Sequence, residues 1–149
     1  MRAALAEAEL AGAQGEVPIG AVAVVGEQIV ARAHNRREAD GNPLGHAEIL
    51  LLQQLIGTRA SWRLDDVTLY VTCEPCLMCA GALLQARLAR LVYGCADPKA
   101  GACGSLYQVL DDARLNHRIP CTAGVLAADC GALLSAFFRG LRGCKSVKA

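Results

Sequence analysis

The sequence predicts an α/β domain whose sheet is covered by helices on both faces. Short, Val-rich apolar runs alternate with longer helix-forming stretches, a tight two-residue turn joins the first two runs, and the C-terminal segment carries one apolar stripe at helical spacing. The 149 residues suit one domain, 1–149, since domains run to roughly 100–200 residues.

Residues 2–13 are rich in Ala and other good helix formers and predict a helix. Residues 19–25 and 28–34 predict two strands joined by Gly26-Glu27, where Gly at the first turn position suits a type II′ hairpin. The polar stretch 35–45 holds Gly41-Asn42-Pro43 and predicts a loop, followed by a helix over about 46–55 that stops at Gly57. Residues 67–72 alternate branched and aromatic side chains as a buried strand does. After Glu74-Pro75, residues 76–87 predict a helix with Pro near its first turn. A strand at 91–93 is expected to end at Gly94, before a Gly-rich loop over 95–104, a short helix from Ser105 and a strand over 118–122. In the last segment Leu126, Cys130, Leu133, Leu134, Phe137, Phe138 and Leu141 share one face of a long helix.

Hydrophobic residues make up 54% of the chain, enough for a full core, yet no apolar run is long enough to span a bilayer. Glu7 and Glu9 interrupt the N-terminal segment where a secretory signal needs an unbroken apolar stretch, so a cytoplasmic, membrane-free protein is expected. The formal charge of +1 does not itself point to nucleic acid, which is bound through local clusters. Arg139, Arg142, Lys145 and Lys148 follow one another at three-residue steps, and from charge alone a solvated helix tail is favoured over an RNA-facing surface. Eight cysteines in such a chain point to metal binding or catalysis ahead of disulfides.

The chemistry is concentrated in His46-Ala47-Glu48 and Pro75-Cys76-Leu77-Met78-Cys79. One imidazole and two thiolates supply three zinc ligands and leave a fourth tetrahedral position for water, the pattern of catalytic zinc sites. A Cys-x-x-Cys pair opening a helix gains from the backbone N–H groups and the positive helix end, which favour thiolates. Glu48 lies two residues after His46, so both reach one metal only where the pair straddles a helix start. Two thiolates cancel the zinc charge, which leaves a neighbouring carboxylate to take the proton from water, and Glu48 fits that role. Cys73 extends the pair to Cys-x-x-Cys-x-x-Cys, a spacing also found in iron–sulfur proteins, and as a fourth thiolate it would close the metal site. Its position at a strand end, cut off by Pro75, reads instead as a buried thiol. The other five cysteines read as small core residues.

The order His-x-Glu then Pro-Cys-x-x-Cys is the signature of zinc nucleobase deaminases. Over nearly its whole length the chain resembles the bacterial tRNA adenosine deaminases of the cytidine deaminase-like superfamily. The resemblance rests on Glu16-Val17-Pro18-Ile19-Gly20-Ala21-Val22, His34-Asn35-Arg36, His46-Ala47-Glu48, Leu69-Tyr70-Val71-Thr72, Glu74-Pro75-Cys76 through Cys79-Ala80-Gly81, Asp97-Pro98-Lys99, Gly104-Ser105-Leu106, Asn116-His117-Arg118 and Phe137-Phe138-Arg139. It implies a three-layer α/β/α fold around a mixed sheet of about five strands. It also implies one Zn²⁺ per subunit on His46, Cys76 and Cys79, proton shuttling by Glu48, and a homodimer that converts the wobble adenosine of a tRNA anticodon stem-loop to inosine. Asn35 matches the asparagine that hydrogen-bonds the flipped purine, with Ile19 and Ala47 also at substrate positions. Asp97, Lys99, Ser105, Asn116 and Phe138 fall where the family surrounds the loop nucleotides. A free-base deaminase with the same chemistry, and an iron–sulfur or structural-zinc module using Cys73, are the alternatives.

Overall fold

The computed structural model describes residues 1–145, with side chains through Arg142. Lys148 and the side chain of Lys145, both in the basic run, lie outside the described residues. The elements in order are α1 (Arg2–Ala13), β1 (Gly20–Val25), β2 (Gln28–His34), α2 (Ala47–Thr58), β3 (Thr68–Cys73), α3 (Leu77–Gln85), β4 (Arg90–Cys95), a 3₁₀ turn (Val109–Asp111), β5 (Cys121–Thr122) and α4 (Ala127–Lys145). The sheet order is β2-β1-β3-β4-β5. β1 runs antiparallel to both β2 and β3, while β3, β4 and β5 are parallel. This is the three-layer α/β/α arrangement with a five-stranded mixed sheet.

Alternation along the strands sends one side-chain set to each helical layer. Ala21, Ala23, Leu69, Val71 and Leu91 join Leu51, Leu55 and Leu83 of α2 and α3 in the main core. On the other face α1 presents Ala4, Ala8 and Ala11, all fully buried. Their small size brings α1 so close that a Cβ at Gly20 would collide with the Ala4 carbonyl and the Ala8 amide. α4 approaches β4 in the same way, because a Cβ at Gly94 would strike Cys130 Sγ and the Thr72 carbonyl. Gly94 therefore does not end β4, which runs on to Cys95; it lets a helix lie across the strand. Gly94→Ala is expected to destabilise the protein by about 1–3 kcal/mol or more, as overpacking does, read as a lower denaturant midpoint with an unchanged slope.

Other boundaries move for identifiable reasons. Gly57 does not stop α2, which continues to Thr58, whose hydroxyl bonds the carbonyls of Gln54 and Leu55. α3 closes after Gln85 through Arg87, whose φ of 56° lets the Leu88 N–H reach the Leu83 carbonyl. No helix starts at Ser105. Its N–H is bound by Glu74, and the next two N–H groups both point at the Gly101 carbonyl, giving a tight turn. The strand expected over 118–122 shrinks to Cys121–Thr122. Cys103 and Cys130 are core residues as expected, whereas Cys121 is exposed on the edge strand.

The register gathers one end of the sheet into a site. Gly20 pairs with His34, so Ile19 and Asn35 lie side by side, with the Asn35 N–H bonded to the Ile19 carbonyl at 3.0 Å. Gly20 N–H donates to Thr72 Oγ1 at the far end of β3, and Cys73 pairs with Cys95 at the end of β4.

Candidate active site

His46 and Cys76 are the N-cap residues of α2 and α3. Their extended backbones turn their side chains back across the helix starts, where unsatisfied N–H groups favour negative charge. His46 Nδ1 lies 3.7 Å from Cys76 Sγ and 3.6 Å from Cys79 Sγ, and the three ligand atoms all fall within 4.8 Å of one another. Bonds of about 2.0 Å to nitrogen and 2.3 Å to sulfur, opened to a tetrahedral angle, put ligand atoms roughly 3.6 Å apart around zinc. The donor set and its spacing therefore fit that metal.

Electrostatics point the same way. Hydrogen bonds from Cys79 and then His46 hold the Cys76 thiol down at about 3 against the effect of burial. Cys79 is pushed up by sharing a proton with Cys76 and by burial, while the hydrogen bond to Cys76 raises His46. A trio that already shares a negative charge around a donor is primed for a cation. Glu48, in the first turn of α2, is only 4% exposed, and burial pushes its carboxyl up to about 7. Its side chain reaches the Cys79 thiol without joining the ligand trio. Asn35 is 3% exposed, and its Oδ1 accepts the Ala47 N–H at 2.9 Å, which ties β2 to the start of α2.

A groove of about 680 Å³ opens between the sheet end and α4, and its lining does not include His46, Glu48, Cys76, Cys79 or Asn35. Its walls include Cys73 and four of the residues expected at substrate positions, Ile19, Asp97, Lys99 and Phe138. Arg139 and Arg142 also line it, so the basic end is in part a groove wall and not only a solvated tail.

The model of the MafB19-like deaminase family matches residues 1–142. A tRNA-specific adenosine deaminase of Bacillus subtilis is 48% identical over 142 residues, covering 95% of this chain and 88% of the relative. The chain belongs to the tRNA-specific adenosine deaminase family. A second family relative, from Haemophilus influenzae, is 44% identical over 149 residues, covering 99% of this chain and 86% of its own. A solved structure from work on A-to-I editing by tRNA:A34 deaminases superposes with a TM-score of 0.82 at 38% identity, covering 89% of this chain and 96% of that one. A guanine deaminase from Nitrosomonas europaea, at 21% identity and a TM-score of 0.77, shares the fold; the match covers 90% of this chain and 80% of that one.

In this member of the tRNA-specific adenosine deaminase family, Cys73 stands apart from the metal-facing trio. Among the described residues the group that could hold a metal is His46, Cys76 and Cys79, while Cys73 is a buried free thiol whose register partner across the parallel strands is Cys95. The three ligand atoms lie within 4.8 Å of one another, a spacing that suits one ion. Asn116 lies apart from the groove walls, its Oδ1 accepting from Arg87 at 2.9 Å. Ser105 is bound to Glu74 through both its N–H and its hydroxyl. The sequence reading places Glu74 at the break after the strand and within a family-matching segment but gives it no role. A buried carboxylate directly before the Pro-Cys-x-x-Cys run was the one available signal, and beside a proline it reads as a turn residue.

Proposed function

We propose that this chain hydrolytically deaminates adenosine to inosine at the wobble position of a tRNA anticodon, releasing ammonia, with one Zn²⁺ held by His46, Cys76 and Cys79. The observation that carries this reading is the convergence of one imidazole and two thiols at zinc-ligand spacing, with the buried Glu48 carboxyl in the first turn of α2. A groove walled by Ile19, the neighbour of Asn35, supports it. Bound zinc supplies the Lewis acidity that makes a water molecule nucleophilic near neutral pH. Glu48 does the proton work. It takes one proton from the attacking water and delivers it to the ring nitrogen next to the reacting carbon. It then takes the second from the newly attached hydroxyl and passes it to the amino group, so that the C–N bond breaks, ammonia leaves and the carbonyl of inosine forms. Its raised affinity for protons suits a group that must both accept and donate near pH 7.

Asn35 and its neighbours hold the base. With Oδ1 committed to the Ala47 N–H, the Asn35 amide group can donate to a purine acceptor, and Ile19 offers an apolar wall. Phe138, 42% exposed at the groove, can stack on a neighbouring base, and Lys99 and Arg139 carry charge suited to the RNA backbone. A single-stranded loop suits this site because its bases leave the stack at little cost. The reading includes a homodimer acting in the cytoplasm. Exposed Leu77, Leu106 and Tyr107, clustered near the Cys76–Gly101 bridge, support a partner surface.

The test is incubation of the purified protein with an adenosine-containing anticodon hairpin, with free guanine and cytosine in parallel. Inosine in the hairpin is expected, with no ammonia from the free bases. Turnover of the free bases alone would overturn the reading.

A further inference from the structure

Glu74 follows β3 directly and is 3% exposed, two residues before Cys76. Its carboxylate is the acceptor around which the segment 96–105 is wrapped. Oε1 accepts the N–H groups of Cys103 and Ser105 at 3.0 and 2.9 Å. Oε2 accepts the Asp97 N–H at 3.0 Å together with the Ser105 hydroxyl. The segment also lies hard against the carboxyl, because a Cβ on Gly101 would overlap it. Gly101 is bridged to Cys76, and the Ala102 N–H is bonded to the Pro75 carbonyl at 2.9 Å. Asp97, once fixed, shapes the next turn by accepting the N–H groups of Lys99 and Ala100 at 2.9 and 3.2 Å. Asp97 and Lys99 form one wall of the groove. A single buried carboxylate thus joins the start of the metal-facing helix to the surface that meets the substrate.

We propose that Glu74 is a positioning residue for substrate binding, fixing the 96–105 wall relative to the reacting centre without touching either metal or base. This rests on the RNA deaminase reading above. Three backbone N–H groups and the Ser105 hydroxyl converge on the two Glu74 oxygens, an arrangement that needs acceptor capacity on both. Glutamine keeps the shape but has one acceptor oxygen and presents an NH₂ where Asp97 or Cys103 donates. A buried N–H left without a partner then drives the segment off its wall position.

Steady-state kinetics on the anticodon hairpin, zinc analysis and hydrogen exchange of the 96–105 amides test this in Glu74→Gln and Glu74→Asp. For Glu74→Gln we expect full zinc, KM raised by about tenfold or more, kcat changed by no more than about twofold, and faster exchange at Asp97, Cys103 and Ser105. Glu74→Asp keeps the charge and both oxygens on a shorter stem, so its KM should fall between those of the other two. An unchanged KM, a fall confined to kcat, or loss of zinc would each overturn the positioning role. If Glu74→Gln does not fold, the same KM and kcat comparison on Glu74→Asp decides. Wild-type protein that forms no inosine in the hairpin refutes the RNA reading instead, and the exchange rates then decide whether Glu74 holds the segment.

Discussion

Replacing Glu48 with alanine is expected to leave zinc bound and to lower inosine formation by about 10²–10⁴-fold, with the loss in kcat. The two halves of this prediction come from different contacts. The ligand atoms are those of His46, Cys76 and Cys79, and the Glu48 carboxyl is outside that group, so the variant keeps every donor. The buried carboxyl against Cys79 is the group placed to move protons between water, ring and leaving amine, and alanine has nothing to replace it with. Zinc content by mass spectrometry and single-turnover inosine formation measure the two halves separately. A variant that loses its metal would show that Glu48 acts as a ligand.

Cys79→Ala should have the opposite profile, with no stoichiometric zinc and inosine formation at the no-enzyme level. Cys79 is fully buried in the first turn of α3, and removing its sulfur leaves one nitrogen and one sulfur, too few donors for a site of this class. The fold itself should survive, since alanine is a good helix former and the deleted atom is small. Metal that binds only the native state adds to its stability, so wild type should unfold at a higher temperature than Cys79→Ala in the presence of zinc. The gap should close when both are treated with a chelator. A difference that persists after chelation would assign the effect to packing around the sulfur.

The metal-facing residues were legible because their chemistry is local. Two thiols at a helix start and a His-x-Glu pair straddling another need only short-range geometry to be recognised, and the structure supplied the one missing fact, their mutual distance. The first hairpin was equally local, since Gly26, with φ of 60°, turns the chain between Val25 and Gln28. What escaped was long-range. Gly94 read as a strand terminator because its real partner, Cys130, lies far along the chain on another element. Ser105 read as a helix start because backbone N–H groups carry no sequence mark of where they point, and its own points at Glu74. Glu74 escaped for the same reason, since three of its four donors are main-chain atoms that any residue would offer. Charge spacing alone did not reveal that the exposed Arg139 and Arg142 of α4 border the groove.

The crossover from β3 through α3 to β4 carries two of the three side chains that could hold the metal, whereas the adjoining wall after β4 is held against it by the Glu74 carboxylate and a few main-chain bonds. If the proposed roles hold, the grip on the RNA and the reacting centre ride on separate pieces of chain. Substitutions in the stretch after β4 are then expected to change which RNA loops are accepted while the base pocket around Asn35 and the reactive centre pass on intact.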